Sequence, residues 1–377
     1  AFDISLTPNV SNEPITLYFG LIDFIKSKDG RLPVFAEKKI KCLVWDLDNT
    51  LWDNILVESD SAKIKLKDEI PNILNQLDNR GILLSIASKN DKSLADELLK
   101  KFGVESYFLH PQISWERKSI LIRNIQKALN IGMDSIAFID DSDFERAEVE
   151  QAVSDVQCID AVNYLNLLHY PGFAGSDSED AKNRRYYYQT EEKRTEELKT
   201  KFQDDYLSFL KNCNIRLTVA KPDQENLTRI SDLIQRTNQL NFSSNKYTRE
   251  QVKEIIDNKM LDKYVLSASD RFGDYGIIGF AVVDRSQIMV TDMLFSCRIQ
   301  MKRIEHAFLC YLMKKYSGQA DNILKVVYCP TRKNAQCAKV FGDIGFQKES
   351  SNKGREIFIF DMKNGIPAEP LINVQEK

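Results

Sequence analysis

The chain has 377 residues, of which 43% are hydrophobic and 28% charged, and its formal net charge is −3 at pH 7. This length exceeds one average hydrophobic core and predicts at least two domains. The nearly balanced charge excludes a general attraction to nucleic acid or to an anionic membrane, and no apolar run approaches the ~20 residues that a membrane span needs.

The N-terminus begins at Ala1 without methionine, and no basic segment followed by an apolar one marks a signal peptide. We therefore expect a processed chain, or a piece excised from a larger polypeptide. The seven cysteines are scattered and show no metal-ligand spacing. Their odd number and separation predict free thiols in a reducing, cytoplasmic setting.

Residues 1–38 are predicted to form an N-terminal lead-in. Continuous apolar runs then appear at residues 40–47, 82–88 and 135–140, with helical patterns between them. Such runs are typical of strands buried on both faces of a parallel sheet. Residues 39–172 are therefore predicted to form a doubly wound α/β domain.

Residues 173–213 are rich in charge and predict a connector built on one long helix. Residues 214–365 alternate between strand and helix patterns, which predicts a second, mixed α/β domain. Residues 366–377 are predicted to be a C-terminal tail.

Acidic and polar side chains follow the predicted strands of the first domain. Asp46 and Asp48 come directly after the first strand, Ser88 ends the second, and Asp140 with Asp141 ends the third. The carboxyl ends of parallel strands share one edge of the sheet, where sites form. One carboxylate of the first pair could attack phosphorus while the other transfers protons.

The remaining pieces of this constellation suit a phosphoryl group. Lys118 could neutralise its charge, and the Ser88 hydroxyl could hold its oxygens. Clustered carboxylates favour a hard, oxygen-preferring cation such as Mg²⁺, which offsets repulsion between an anionic nucleophile and an anionic substrate. Each piece alone is common in loops, but their joint order predicts a Mg²⁺-dependent phosphotransfer site.

This order of motifs resembles the haloacid dehalogenase superfamily, whose pattern is DxDxT, then Ser or Thr, then Lys, then an acidic pair. The resemblance implies that Asp46 forms an aspartyl-phosphate and that Asp48 is the general acid and base. It implies metal ligation by Asp46, the Asp48 carbonyl and the acidic pair. The residues so assigned are Asp46, Asp48, Asp140 and Asp141 for the metal, and Thr50, Ser88 and Lys118 for phosphate. A degenerate member without turnover is the alternative.

The element order of the second domain resembles the GNAT acyltransferase fold. In that fold, the loop at residues 291–303 would carry a Q/RxxGxG/A pattern that cradles the pyrophosphate of coenzyme A. Arg298 begins the pattern here, but Met301 and Arg303 stand where the glycines would be. We expect these side chains to crowd a pyrophosphate, whereas the phosphopantetheine arm of an acyl carrier has no such diphosphate.

Cys297 lies beside this loop and is flanked by Arg298, Lys302 and Arg303. A thiolate near a helix N-terminus and cationic side chains is stabilised, which would suit an acyl-accepting nucleophile. His306 could serve as its base, or could be a helix residue without a catalytic role. For the other cysteines that we weighed, we expect inert thiols: Cys42, Cys158, Cys310, Cys329 and Cys337.

A dense polar cluster follows the first helix of the second domain. Its amides and guanidinium could orient a hydroxy acid or a phosphate, or could only cap that helix. The substrate-binding candidates in this domain are Arg236, Asn238, Gln239, Asn241 and Arg298.

The whole chain resembles the FkbH-like glyceryl transferase/phosphatase family of polyketide synthases. The motifs that carry this likeness are KCLVWDLDNTLW, GILLSIASKND, PQISW before Lys118, AFIDDSDFER, RTNQLN and LFSCR. The resemblance implies transfer of a glyceryl unit from 1,3-bisphosphoglycerate, or a related phosphoglycerate, to the cysteine and then to the phosphopantetheine arm of an acyl carrier protein. A lactyl unit is the variant that some relatives supply.

Two alternatives remain open at this stage. One is a phosphatase fused to a CoA-dependent N-acetyltransferase-like domain, with separate substrates. The other is a non-catalytic scaffold that binds a carrier. The leading interpretation is a bifunctional enzyme, excised from or acting with a polyketide assembly line.

Overall fold

The computed structural model describes residues 39–58, 63–176, 178–319, 321–352 and 354–377. The predicted lead-in at residues 1–38 lies outside these described residues. Within the described part of the chain, no helix is both long enough and apolar enough to cross a membrane.

The first domain is built on a parallel sheet with strand order β3-β2-β1-β4-β5. Its central strand, β1, pairs with β2 on one side and β4 on the other. In chain order the elements are β1 (Cys42–Trp45), α1 (Ile70–Asn79), β2 (Leu83–Ser88), α2 (Lys92–Lys101), β3 (Gln112–Ile113), α3 (Lys118–Leu129), β4 (Ile136–Asp140), α4 (Asp143–Ala152) and β5 (Gln157–Asp160). This confirms the predicted doubly wound α/β domain.

Both faces of this sheet are covered, as the continuous apolar runs predict. Successive residues of β1 point to opposite faces, so Leu43 and Trp45 pack in one apolar core and Cys42 and Val44 in the other. All side chains of β1, β2 and β4 are buried. The sheet is therefore a closed layer between two sets of helices.

The connector differs from the single helix predicted. It forms α5 (Glu179–Lys182), α6 (Arg184–Lys201) and α7 (Tyr206–Cys213). The break before α7 contains Gln203 and Asp204, whose φ angles of 49° and 65° end a right-handed helix. The buried Arg194 on α6 pairs with Asp270 at 2.7 Å, which ties the connector to the second domain.

The second domain has a mixed sheet of eight strands among the described residues, in the order β11-β12-β10-β9-β8-β7-β6-β13. Its elements are β6 (Ile215–Ala220), α8 (Asn226–Arg236), α9 (Arg249–Asp257), β7 (Leu261–Asp270), β8 (Gly273–Asp284), β9 (Met289–Phe295), α10 (Ile304–Tyr316), β10 (Ile323–Tyr328), α11 (Lys339–Ile344), β11 (Gln347–Asn352), β12 (Arg355–Asp361) and β13 (Ile372–Glu376). The predicted mixed α/β class is confirmed.

Two strands of this sheet were not predicted from the sequence. β11 is a polar edge strand, and β13 lies in the segment predicted to be a tail. β13 pairs in parallel with β6, Ile372 opposite Ile215, so the tail is part of the second domain. Only Ile372 of β13 is buried, which leaves almost no apolar periodicity to recognise.

The second domain contacts the first at the edge where the parallel strands begin. Lys41, just before β1, donates its Nζ hydrogen to the Arg236 carbonyl at 2.8 Å. Arg184 of the connector joins the two domains, since it donates to the carbonyl of Gly81, which precedes β2, at 2.6 Å and pairs with Asp232 on α8 at 3.1 Å. Lys333 pairs with Asp134, which precedes β4, at 2.7 Å. We call this side the amino edge of the first sheet and the opposite side its carboxyl edge.

Candidate functional site

Asp46 and Lys118 meet at the carboxyl edge of the first sheet. Lys118 opens α3, is 1% exposed, and its Nζ contacts Asp46 Oδ1. The same Nζ lies 2.9 Å from Asp140 Oδ2 and 3.0 Å from Glu145 Oε2. A buried ammonium group is thus surrounded by carboxylates from β1, β4 and α4.

Burial and nearby charges shift the pKa values of this cluster in opposite directions. Burial raises the pKa of Asp46, whereas Lys118 and a hydrogen bond from Ser88 oppose that shift. Burial and the neighbouring Asp46 raise the pKa of Asp140 to about 7. Burial alone would lower the pKa of Lys118, but the surrounding carboxylates raise it. The lysine therefore stays charged and holds the acids in place.

The carboxylates of Asp46, Asp140 and Asp141 each offer an oxygen, and these oxygens lie within 4.8 Å of one another. Asp46 and Asp140 are buried, while Asp141 is exposed. An all-oxygen set of this kind fits a hard divalent cation such as Mg²⁺. The sequence analysis assigned the backbone carbonyl of Asp48 to the metal as well, and that assignment stays a prediction.

The Asp48 carboxylate is held by a different group of donors. It accepts hydrogen bonds from Trp52 Nε1 at 2.8 Å, from the Leu56 amide at 3.1 Å and from Asn90 Nδ2 at 2.9 Å. Burial raises the pKa of Asp48, and these donors partly oppose the shift. A half-buried carboxyl group in a fixed orientation is suited to exchanging a proton with a bound substrate.

The predicted hydroxyl groups also lie at this site. Ser88 ends β2, is 1% exposed, and donates to Asp46. Thr50 is fully buried in the turn after Asp48, and its hydroxyl has no hydrogen-bond partner among the described residues. An unpaired buried hydroxyl is costly, so a ligand oxygen would be a favourable partner for it. Both assignments to phosphate stay predictions.

Two further residues of this site were missed by the sequence analysis. Glu145 reaches both Lys118 and Lys89, the latter at 2.6 Å. The Ser142 hydroxyl caps α4 by accepting from the Glu145 amide, so the Ser-x-x-Glu spacing was an available signal. Asn90, which orients Asp48, is a loop residue after β2 and carried no distinctive pattern.

Replacing Lys118 with methionine is expected to destabilise the protein by roughly 3–5 kcal/mol, because buried carboxylates lose their cation. Urea unfolding in Mg²⁺-free buffer at pH 8 measures the free energy of unfolding. The loss should shrink as the pH falls below about 7, since Asp140, whose pKa is about 7, is then protonated in the folded state.

The matched control for this substitution is Lys92→Met. Lys92 forms an exposed pair with Asp96 on α2, so its loss should change the free energy of unfolding by less than about 0.5 kcal/mol. Equal effects of the two substitutions would contradict the role assigned to Lys118.

Cys297 lies in a second place, at a cavity of about 830 Å³ between the two domains. It begins a 3₁₀ turn, Cys297–Ile299, directly after β9. Its Sγ atom is 4.0 Å from the Tyr188 hydroxyl. The cavity is lined by several of the predicted residues, which are Arg236, Asn238, Gln239, Cys297 and Arg298.

The cations predicted around Cys297 have other partners. Arg298 pairs with Asp180 at 3.1 Å, and Lys302 and Arg303 each pair with a glutamate at 2.7 Å. Lys41, from the first domain, lines the same cavity as Cys297, together with Arg184 and Arg236. Burial lowers the pKa of Lys41, while the nearby Cys297 opposes this shift. No local pattern could have linked these two residues.

His306, the predicted base for Cys297, lies beside two acidic side chains. Its Nε2 atom lies 3.0 Å from Asp343 Oδ2, and its Nδ1 atom 3.6 Å from Glu305 Oε1. Among the described residues, the structure gives no contact between His306 and Cys297. Both ring nitrogens therefore face acidic side chains, Glu305 on α10 and Asp343 on α11, and a role for His306 as catalytic base stays a prediction.

Asn241 has a structural role rather than a place in the cavity. Its side chain donates to the Asn245 carbonyl at 3.0 Å and accepts from the Ser244 amide at 2.9 Å. The backbone around it bonds to β9, since the Phe242 amide donates to the Met293 carbonyl at 2.9 Å. These contacts favour a local structural role for Asn241, and its binding of substrate stays a prediction.

The segment at residues 240–242 also occupies the gap between β9 and β10. It bonds to β9 through the Phe295 amide and the Leu240 carbonyl at 2.9 Å, and it accepts from the Cys329 amide, after β10, at 2.8 Å. β9 and β10 themselves pair only near their starts, from Met289 and Lys325. The chain therefore fills this opening with its own backbone.

The loop that would cradle a pyrophosphate keeps a glycine-like backbone without glycine. Met301 and Arg303 have φ angles of 64° and 59°, in the left-handed region that glycine favours. The Tyr206 hydroxyl donates to the Met301 carbonyl at 2.6 Å, and Arg303 binds Glu369. The two positions that would carry glycine therefore bear side chains, and the side chain of Arg303 is paired with Glu369.

Comparison with known proteins bears on the first domain. Residues 49–152 match the family model for haloacid dehalogenase-like hydrolases. The first domain is therefore similar to haloacid dehalogenase-like hydrolases. Over 144 residues the chain is 27% identical to the human protein named magnesium-dependent phosphatase 1, which covers 34% of this chain and 81% of that relative.

Solved structures that are similar to part of this chain include a phosphatase-domain protein and a GNAT domain. The N-terminal part of a Bacteroides fragilis protein, which contains a phosphatase domain complexed with Mg, is 31% identical, covers 36% of this chain and 40% of its own, and has a TM-score of 0.33. The GNAT domain of an S. lividans protein is 16% identical, covers 38% and 89%, and has a TM-score of 0.31.

Proposed function

We propose that the haloacid dehalogenase-like domain hydrolyses phosphomonoesters with Mg²⁺. The observation that carries this proposal is the buried cluster of Asp46, Lys118 and Asp140 beside the exposed Asp141, at the carboxyl edge of the sheet. The similarity to a protein named as a magnesium-dependent phosphatase supports it. When bound, Mg²⁺ would offset the negative charge of the nucleophile and the phosphoryl group.

In this proposal Asp46 attacks phosphorus and Lys118 stabilises the negative charge that accumulates on the phosphoryl oxygens. Asp48 protonates the leaving oxygen and later removes a proton from the water that releases phosphate. Trp52 and Asn90 hold the Asp48 carboxylate in one orientation for both transfers. Ser88 and Thr50 supply hydroxyl groups for the phosphate oxygens.

For the second domain we propose acyl transfer through Cys297. Its thiolate would take a glyceryl-type group from an acyl phosphate such as 1,3-bisphosphoglycerate and pass it to the thiol of an acyl carrier protein, in cytoplasmic polyketide biosynthesis. Support comes from the inter-domain cavity, where Lys41 and Arg236 offer positive charge beside Cys297. An acyl phosphate is already activated, so this capture needs no ATP.

Intact-mass measurement tests this proposal. The protein, a phosphopantetheinylated carrier, 1,3-bisphosphoglycerate and Mg²⁺ are incubated together, and the masses of enzyme and carrier are recorded. We expect an acyl adduct on the enzyme and then on the carrier. Correctly folded protein that yields neither adduct would refute the proposed acyl transfer.

A CoA-dependent acetyltransferase is disfavoured by the second domain. Residues 240–242 fill the gap between β9 and β10, and Arg303 and Met301 occupy the loop that would hold a pyrophosphate. We therefore expect no heat of binding when acetyl-CoA at ~1 mM is titrated into the protein, since this concentration would reveal even weak binding. Saturable micromolar binding would restore this alternative.

A further inference from the structure

The two candidate centres lie at opposite edges of the first sheet. Asp46 follows β1, whereas Lys41, which lines the Cys297 cavity, precedes it. At ~3.3 Å per residue, β1 carries the chain about 16 Å from Lys41 to Asp46. The cavity and the carboxylate cluster are therefore separated by the length of the central strand.

The neighbouring strand β4 shows the same separation between its two ends. Gly132, Asp134 and Ser135, which all precede β4, line the Cys297 cavity, whereas Asp140 ends β4 in the carboxylate cluster. The strands between these ends are fully buried, and helices cover both faces of the sheet. The described residues of the sheet thus form a packed layer, and the two centres face away from each other.

An acyl group bound to Cys297 is short. A phosphoglyceryl thioester extends only a few bonds beyond the sulfur atom, which is less than the length of β1. The phosphate of such a group therefore cannot reach Asp46 of the same chain. Dephosphorylation must take place before capture by Cys297 or after release from it.

The chemistry of the donor favours release of the acyl group from Cys297 before its dephosphorylation. In 1,3-bisphosphoglycerate, the carboxylate of the mixed anhydride is a better leaving group from phosphorus than the alkoxide of the phosphomonoester. A phosphatase that acted on the free donor would hydrolyse the activated bond and destroy the acyl donor. Removal of the ester phosphate is productive once the acyl group is protected as a thioester.

The carboxyl edge also offers an open approach to a large substrate. Trp115, shortly before Lys118, is 67% exposed, and Phe144, in the first turn of α4, is 76% exposed. Apolar surface near this edge would suit contact with a protein substrate. A carrier protein with its flexible arm is such a substrate, whereas a free phosphoglycerate is not.

We propose that the substrate of the Asp46 centre is a phosphoacyl thioester on the carrier's phosphopantetheine arm, which travels there after leaving Cys297. This inference rests on the proposed function. The carrier moves the acyl group between two centres that an intermediate bound to Cys297 cannot connect.

The steps balance as follows. The Cys297 thiolate attacks the acyl carbon, the carbon–oxygen bond to phosphate breaks, and inorganic phosphate leaves. The carrier thiolate attacks this thioester, and the Cys297 thiolate leaves. Asp46 then attacks the ester phosphorus, the alkoxide takes a proton from Asp48, and water activated by Asp48 releases inorganic phosphate from Asp46.

The first test uses the wild-type protein without carrier. After brief reaction with 1,3-bisphosphoglycerate and Mg²⁺, we expect an enzyme adduct that retains the ester phosphate, with the same mass increment as the adduct of Asp46→Asn. A wild-type adduct that lacks the phosphate would overturn the inference. Absence of any adduct would refute the proposed acyl transfer itself, so the two failures are distinguishable.

The second test mixes two half-active variants with the carrier. Asp46→Asn alone should yield phosphoacyl-carrier, and Cys297→Ala alone should leave the carrier unloaded. Together they should convert the carrier to its dephosphorylated acyl form, because the intermediate moves between molecules. Persistence of the phosphoacyl-carrier in this mixture, with Cys297→Ala still hydrolysing p-nitrophenyl phosphate, would overturn the inference.

Discussion

Replacing Asp46 with asparagine is expected to abolish Mg²⁺-dependent release of phosphate, with a loss of at least roughly 10³-fold in kcat, as for other catalytic nucleophiles. An amide cannot form the covalent phosphoenzyme and also removes one carboxylate from the metal-ligand set. The variant should still fold, since Lys118 keeps Asp140 and Glu145 as partners. Hydrolysis of p-nitrophenyl phosphate measures the effect.

Asp143→Asn is the matched control for this substitution. Asp143 carries an almost fully exposed side chain that pairs with Arg146, so its activity should stay within about twofold of the wild type, as expected for an exposed surface residue. Retained hydrolysis in Asp46→Asn would place the nucleophile elsewhere. Wild-type protein inactive toward every phosphomonoester tested would instead favour the non-catalytic scaffold.

Replacing Cys297 with alanine is expected to abolish both the enzyme adduct and loading of the carrier. Alanine has no thiol to accept the acyl group, and no later step can replace the lost thioester. The side chain has one contact of note, with Tyr188 at 4.0 Å, so folding should be unaffected. Intact-mass measurement of enzyme and carrier gives the readout, and circular dichroism verifies the fold.

Cys329→Ala is the control for the second substitution. Cys329 is also partly exposed, but its contacts involve its backbone, so the variant should load the carrier normally. Carrier loading by Cys297→Ala would show direct transfer from the acyl phosphate to the carrier thiol. That result would remove the covalent role of Cys297 while leaving acyl transfer in place.

Much of the first domain was predictable because its signals are local. Continuous apolar runs mark strands that are buried on both faces, and a parallel sheet brings the residues after those strands to one edge. Asp46, Ser88 and Asp140 could therefore be grouped before any coordinates were known. The seven cysteines, all in described segments, are free thiols as their scattered spacing predicted.

The second domain was less predictable because its signals are weak or depend on partners. The polar strand β13 has one buried residue and was taken for a tail. Asn241 belongs to a dense polar motif, yet its side chain stabilises its own loop. His306 lies near Cys297 in sequence, but the direction of a side chain on α10 depends on the elements packed against it.

The sequence by itself determined which reactive groups this protein carries: two aspartates after the first strand, a lysine, a second carboxylate pair and a cysteine after a strand. Tertiary structure alone decided how these groups combine. It places Glu145 beside Lys118, and it places Lys41 in the lining of the Cys297 cavity. It also puts the two centres at opposite ends of β1. Such pairings join residues far apart in the chain, so they depend on packing between elements and domains and leave no periodic trace in the sequence.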